Sequence, residues 1–112
     1  MNYAVMITLT KEEFKVLLML YASSIDGIMQ DDEVELMIGK SDPVTFSKMQ
    51  RLYRQMGDAE VLACINQNKV KYLATDKAAT DLMNDIRAVV AADGRTAPVE
   101  QYFVNVIKKI LG

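Results

Sequence analysis

Apolar side chains recur along this chain at helical spacing, segment after segment. Phe14, Leu17, Leu18, Tyr21 and Ile25 form one stripe, which predicts a helix over about residues 11–25. Thr10 and Glu13 make a capping box in front of it, and Leu9 with Phe14 has the spacing of a hydrophobic staple. Gly27 suits the left-handed turn that ends such a helix. Asp31, Asp32 and Glu33 then set negative charge at the start of a second helix, where the helix dipole favours it. Val34, Met37 and Ile38 face inward on that helix, which stops near Gly39. Ser41-Asp42-Pro43 starts a third helix, with a capping side chain followed by a proline in the first turn. Its stripe is Phe46, Met49, Leu52, Tyr53 and Met56.

Gly57 ends the third helix and Asp58 caps a fourth, which carries Val61, Leu62 and Ile65. Asn66-Gln67-Asn68-Lys69 reads as a fraying end, with weak helix through Val70-Lys71-Tyr72-Leu73. Thr75 caps a fifth helix whose face is Ala79, Leu82, Ile86, Val89 and Val90. Thr96 and Pro98 open the last, with Val99, Phe103, Val106, Ile107 and Ile110 inward and Lys108 and Lys109 near its C-terminal end. No stretch alternates as a strand does. The pattern predicts an all-α, single-domain bundle of about six helices spanning residues 1–112.

Two turns in this pattern match. Asp26-Gly27 is followed by Glu33, and Asp93-Gly94 by Glu100, each pair offset by 67 positions (26 to 93, 33 to 100). A small apolar run precedes each copy and an amphipathic segment follows. The chain therefore reads as two helix–loop–helix units whose turns carry matched acids.

Composition narrows the chemistry of those turns. There is no histidine, so the commonest general base and transition-metal ligand is absent. A metal would have to be held by oxygen, which suits Ca²⁺, Mg²⁺ or Mn²⁺ better than zinc or copper. Cys64 is the single cysteine, which excludes an intrachain disulfide and reads as a small buried hydrophobe on the fourth helix. Met19, Met37, Met49, Met56 and Met83 sit on or beside apolar stripes as adaptable core filling. A net charge of −2 gives no basic surface for nucleic acid. That charge is uneven: residues 1–39 carry −5, residues 40–77 carry +3 and residues 78–112 are neutral. Such a distribution is usually a solvated face, and it could also serve self-association or a charged partner. The apolar start, Met1 to Leu9, is too short to span a bilayer and lacks the features of a signal peptide, so the chain reads as cytoplasmic.

Aligned on their glycines, the turns carry half of the EF-hand pattern. Asp26 and Asp93 take its fifth position and Glu33 and Glu100 its twelfth. The other half fails, because Ala22 or Val89 stands at position one and Ser24 or Ala91 at position three. Two carboxylate ligands are missing from each loop. If the two units pack about a common axis, Asp26, Glu33, Asp93 and Glu100 could instead converge at one place, where they would repel unless neutralised by a cation or protons. The competing reading needs no ligand: each Asp-Gly ends a helix and each glutamate stabilises the next helix's N-terminus.

The paired Asp-Gly-x5-Glu turns, each inside a helical pair, resemble the TerB-like tellurite-resistance family. The likeness runs over nearly the whole chain, from Lys11 to the closing Val106-Ile107-Lys108-Lys109-Ile110-Leu111. It implies a small all-helical bundle with pseudo-twofold halves and an association with tellurium-ion stress. It also implies that Asp26, Glu33, Asp93 and Glu100 hold a metal, a divalent cation such as Ca²⁺ or Mg²⁺. Two departures stand out: Met29 occupies the place of Thr96 in the second copy, and Arg95 beside Asp93 could itself neutralise the acids. The expectation is a non-catalytic module acting through a protein partner or self-association, with no nucleic acid and no membrane insertion. The alternative is a purely structural or dimerisation domain without ligand.

Overall fold

The capping box at the head of the first helix closes as its residues dictate. The Thr10 N–H donates to Glu13 Oε1 at 2.9 Å, and the Glu13 N–H donates to Thr10 Oγ1 at 3.1 Å. From that cap α1 runs Lys11–Asp26 in the computed structural model, which describes residues 7–26 and 31–112. The helices that follow are α2 (Asp31–Ser41), α3 (Pro43–Gln55), α4 (Asp58–Tyr72), α5 (Asp76–Ala92) and α6 (Ala97–Leu111). The described residues contain no strand, and no helix among them is long and apolar enough to cross a membrane. The turn expected at Gly27, with Met29 beyond it, lies outside the described residues, as do the side chains of Asp26 and Asp31.

The Glu13 side chain does a second job. Its carboxylate meets Lys48 Nζ of α3 at 2.6 Å. That hydrogen bond first, and the Thr10 backbone second, hold its carboxyl below the ordinary value of 4.5. A group depressed in the folded state adds stability above its unfolded pKa and loses it as pH falls through the folded one. Glu13→Gln keeps an acceptor for the Thr10 N–H, since a capping box takes Glu or Gln, and removes the charge paired with the exposed Lys48, so it is expected to cost about 0.2–1 kcal/mol at neutral pH. Urea midpoints should also show the variant losing less stability than the parent as the pH is lowered through and below 4.5.

Helix α1 is the centre of the fold. Every residue from Phe14 to Ser23 is buried, and the helix packs on each of the other five. A segment apolar nearly all round can satisfy itself only when covered on all sides, so the single stripe expected from spacing understates its role. Lys15 is buried along its stem and carries its ammonium out to Glu12 Oε2 at 2.7 Å. Ile25 departs from expectation: it is 51% exposed. It lines an open groove with Tyr21, Leu62, Val106 and Ile110 instead of being covered by a further helix.

Other boundaries shift for local reasons. Helix α2 does not stop near Gly39 but continues to Ser41. A Cβ at Gly39 would stand 3.4 Å from the Phe46 ring, so this glycine lets α2 and α3 approach closely. Asp42 and Thr75 cap as expected, accepting from the Thr45 N–H at 3.2 Å and the Ala78 N–H at 3.1 Å. Thr96 is the N-cap of α6 but makes no side-chain cap bond, and at α4 the cap is Gly57, with Asp58 already in the first turn.

Helix α4 does not fray at Asn66–Lys69 but runs unbroken to Tyr72. The reason is Asn68, whose buried carboxamide accepts the Leu9 N–H at 3.0 Å and donates to Ile7 O at 2.8 Å and Cys64 O at 2.9 Å. A residue read as a breaker is instead the clamp that fixes the segment leading into α1. Tyr72 adds a hydroxyl bond to the Leu9 carbonyl.

The two hairpins pack reciprocally. Within each, α1 lies on α2 and α5 on α6; across them, α1 lies on α6 and α2 on α5. That is the contact pattern a pseudo-twofold pair requires. It brings the C-terminal end of α5 to α2, where the matched acids lie.

Candidate site at the paired acidic turns

In the second turn α5 ends with Asp93 as its C-cap, and the chain reverses through Gly94 at φ +80°. Only glycine adopts that left-handed conformation without strain. The Gly94 N–H donates to Ala91 O at 3.0 Å, closing the helix end. The turn then holds the Asp93 carboxylate inward, with 13% of the side chain exposed, and aims the Arg95 guanidinium back toward it.

Arg95 joins the two copies. Its Nε donates to Asp93 Oδ2 at 3.1 Å, and its Nη2 lies 3.0 Å from Glu33 Oε2 on α2. Two of the four predicted acids, one from each repeat, therefore meet on a single guanidinium. Lys40, in the last turn of α2, adds a second cation 3.5 Å from Asp93 Oδ1. Glu100 takes another partner, Arg87 on α5, at 4.0 Å. Asp26 ends α1, with its side chain outside the described residues.

The junction is thus a chain of alternating charges, Glu33–Arg95–Asp93–Lys40. Among the described residues no three acidic or sulfur side chains stand close enough to share a metal ion. Two carboxylates fall short of the about six to eight oxygens that Ca²⁺ takes. A hollow of about 200 Å³ opens beside Asp93, Lys40 and Met37. It is smaller than the ~300–1,000 Å³ typical of organic-ligand sites.

No known protein family, curated protein or solved structure gives a significant match to this chain. The geometry of its own side chains must carry any functional argument.

Spacing alone singled out Glu33 and Asp93, and Arg95 was visible as a neighbour of Asp93. Its reach to Glu33 was not visible, because it depends on α2 lying against α5. Lys40 and Arg87 left no signal in the pattern, each being an ordinary helix-surface cation until the hairpins pack. Cys64 is buried on the inner face of α4, and burial raises its thiol pKa above the ordinary 9.0 despite a weak bond from Asn68. A thiol kept protonated is a poor nucleophile.

Proposed function

We propose that this chain is a non-catalytic, TerB-like helical module of a cytoplasmic tellurium or stress response, acting through protein contacts. The carrying observation is Arg95, which ties Glu33 of the first repeat to Asp93 of the second. One acid of each repeat is thereby engaged by the same side chain. The non-catalytic clause is supported by the absence of histidine from the sequence and by the buried, protonated Cys64.

On this reading a divalent cation is taken up at the turns through Asp26, Glu33, Asp93 and Glu100 when Arg95, Lys40 and Arg87 give way and the carboxylates are drawn together. Positive charge at Arg95 competes with a divalent ion for the same oxygens. Removing it in Arg95→Ala should strengthen Ca²⁺, Mg²⁺ or Mn²⁺ binding roughly tenfold or more, equivalent to about 1.4 kcal/mol. Amide NMR shifts at the two turns, followed during a millimolar titration of parent and variant, give the comparison. The second reading, a structural or dimerising domain without ligand, is favoured by the same ion pairs, since they neutralise the acids unaided. It is the outcome if neither protein shows a saturable change. The stress clause is tested separately. Deletion of the gene should lower tellurite tolerance, and the parent chain should restore it where Glu33→Gln/Asp93→Asn does not.

A further inference from the structure

Arg87, the partner of Glu100, also lines a cleft. An open cleft of about 600 Å³ runs between the end of α4, α5 and the last turns of α6. Its apolar lining includes Leu73, Met83 and Leu111, and its ionisable side chains are Lys69, Arg87 and Lys108. All three are cations and no acidic side chain lines the cleft, whose other polar groups are the Thr80 hydroxyl and the backbone at Leu111 and Gly112.

Those cations are lightly engaged. Lys69 Nζ donates to the Leu111 carbonyl at 3.1 Å, and Arg87 Nη1 donates to Asn84 Oδ1 at 3.2 Å, with Glu100 at 4.0 Å. The exposed Lys108 has no acid partner among the described residues. Val70, 73% exposed, carries the apolar lining out to the rim. The volume falls in the ~300–1,000 Å³ range of small-molecule sites, which are mostly apolar with a few placed polar groups.

We infer that this cleft binds a small amphiphilic anion, with a carboxylate head held by Lys69, Arg87 and Lys108 and a hydrocarbon body on Leu73, Met83 and Leu111. The charge pattern selects the head, because charge-assisted bonds from cations lining one cleft favour an anion. The apolar lining selects a hydrocarbon body, because its burial removes both surfaces from water.

Dodecanoate below its micelle-forming concentration is the probe, titrated into the full chain by calorimetry and amide NMR. The expected result is saturable one-to-one binding with shifts at Val70, Leu73, Thr80 and Met83. Lys108→Glu should weaken it roughly tenfold or more, since an attraction becomes a repulsion. Thr80→Trp, at an exposed position on the rim, should abolish it by filling the cleft. Thermal unfolding of both variants shows whether they remain folded. Equal binding of dodecyltrimethylammonium would overturn the inference, as would shifts confined to the groove at Ile25 and Ile110, or no saturable binding. A parallel arm offers phosphatidylglycerol vesicles: binding to these without binding of free dodecanoate would also overturn it.

Discussion

Asn68→Leu is expected to lower stability by about 2–4 kcal/mol, although the two side chains are close in size. The carboxamide serves the Leu9 N–H, the Ile7 carbonyl and the Cys64 carbonyl from a position only 4% exposed. Leucine leaves the buried Leu9 N–H without a partner, at about 1–3 kcal/mol, and the part-buried Ile7 carbonyl as well, at less because water reaches it. The Cys64 carbonyl is the least affected, because it lies within the α4 ladder. Urea unfolding monitored by circular dichroism measures the loss, and hydrogen exchange at the Leu9 amide locates it. A cost below about 1 kcal/mol, with Leu9 still protected, would show that residues 7–9 are held by apolar contacts instead.

Phe14→Ala should be at least as damaging, at about 3–5 kcal/mol, the usual range for emptying a buried aromatic site. Phe14 is fully buried in the first turn of α1, and its ring stacks on Tyr72 at a centroid distance of 5.6 Å and 28° between planes. Because α1 touches every other helix, the cavity cannot be closed by moving one neighbour. Small domains hold about 5–15 kcal/mol in total, so the variant should be partly unfolded at growth temperature. Its thermal midpoint and its exposure of apolar surface to a fluorescent dye give the comparison. An unchanged midpoint would mean the neighbours had collapsed into the gap.

These two residues also mark the limits of reading the chain without its fold. The helices were legible because each carries its own signals: Thr10 with Glu13, Asp42 before Pro43, and Thr75. Phe14 was legible as core, but the burial of α1 on all sides was not drawn from one face of its pattern. The unbroken run from Phe14 to Ala22, with only Lys15 interrupting it, was the available clue. Asn68 was misread because polar residues in sequence signal helix ends, and only the tertiary fold shows that the carboxamide has a buried backbone to serve. The site divides in the same way. Glu33, Asp93 and Arg95 stood out by spacing, whereas Lys40 and Arg87 acquire meaning only when α2 meets α5 and α5 meets α6. Gly39 looked like a stop and is a contact.

The central position of α1 carries a consequence for how the chain must be made. The helix that needs the most cover is synthesised before the other five, and one of its partners, α6, begins roughly 70 residues after α1 ends. At about 5–20 residues per second, that interval lasts about 4–14 s. For that time a nearly all-apolar segment has no α6 to lie against. α2 and α3 can cover part of it early, as a partial three-helix sheath. Biogenesis therefore sets a demand that the finished molecule conceals: nascent α1 has to be shielded from its neighbours on the polysome until α6 arrives.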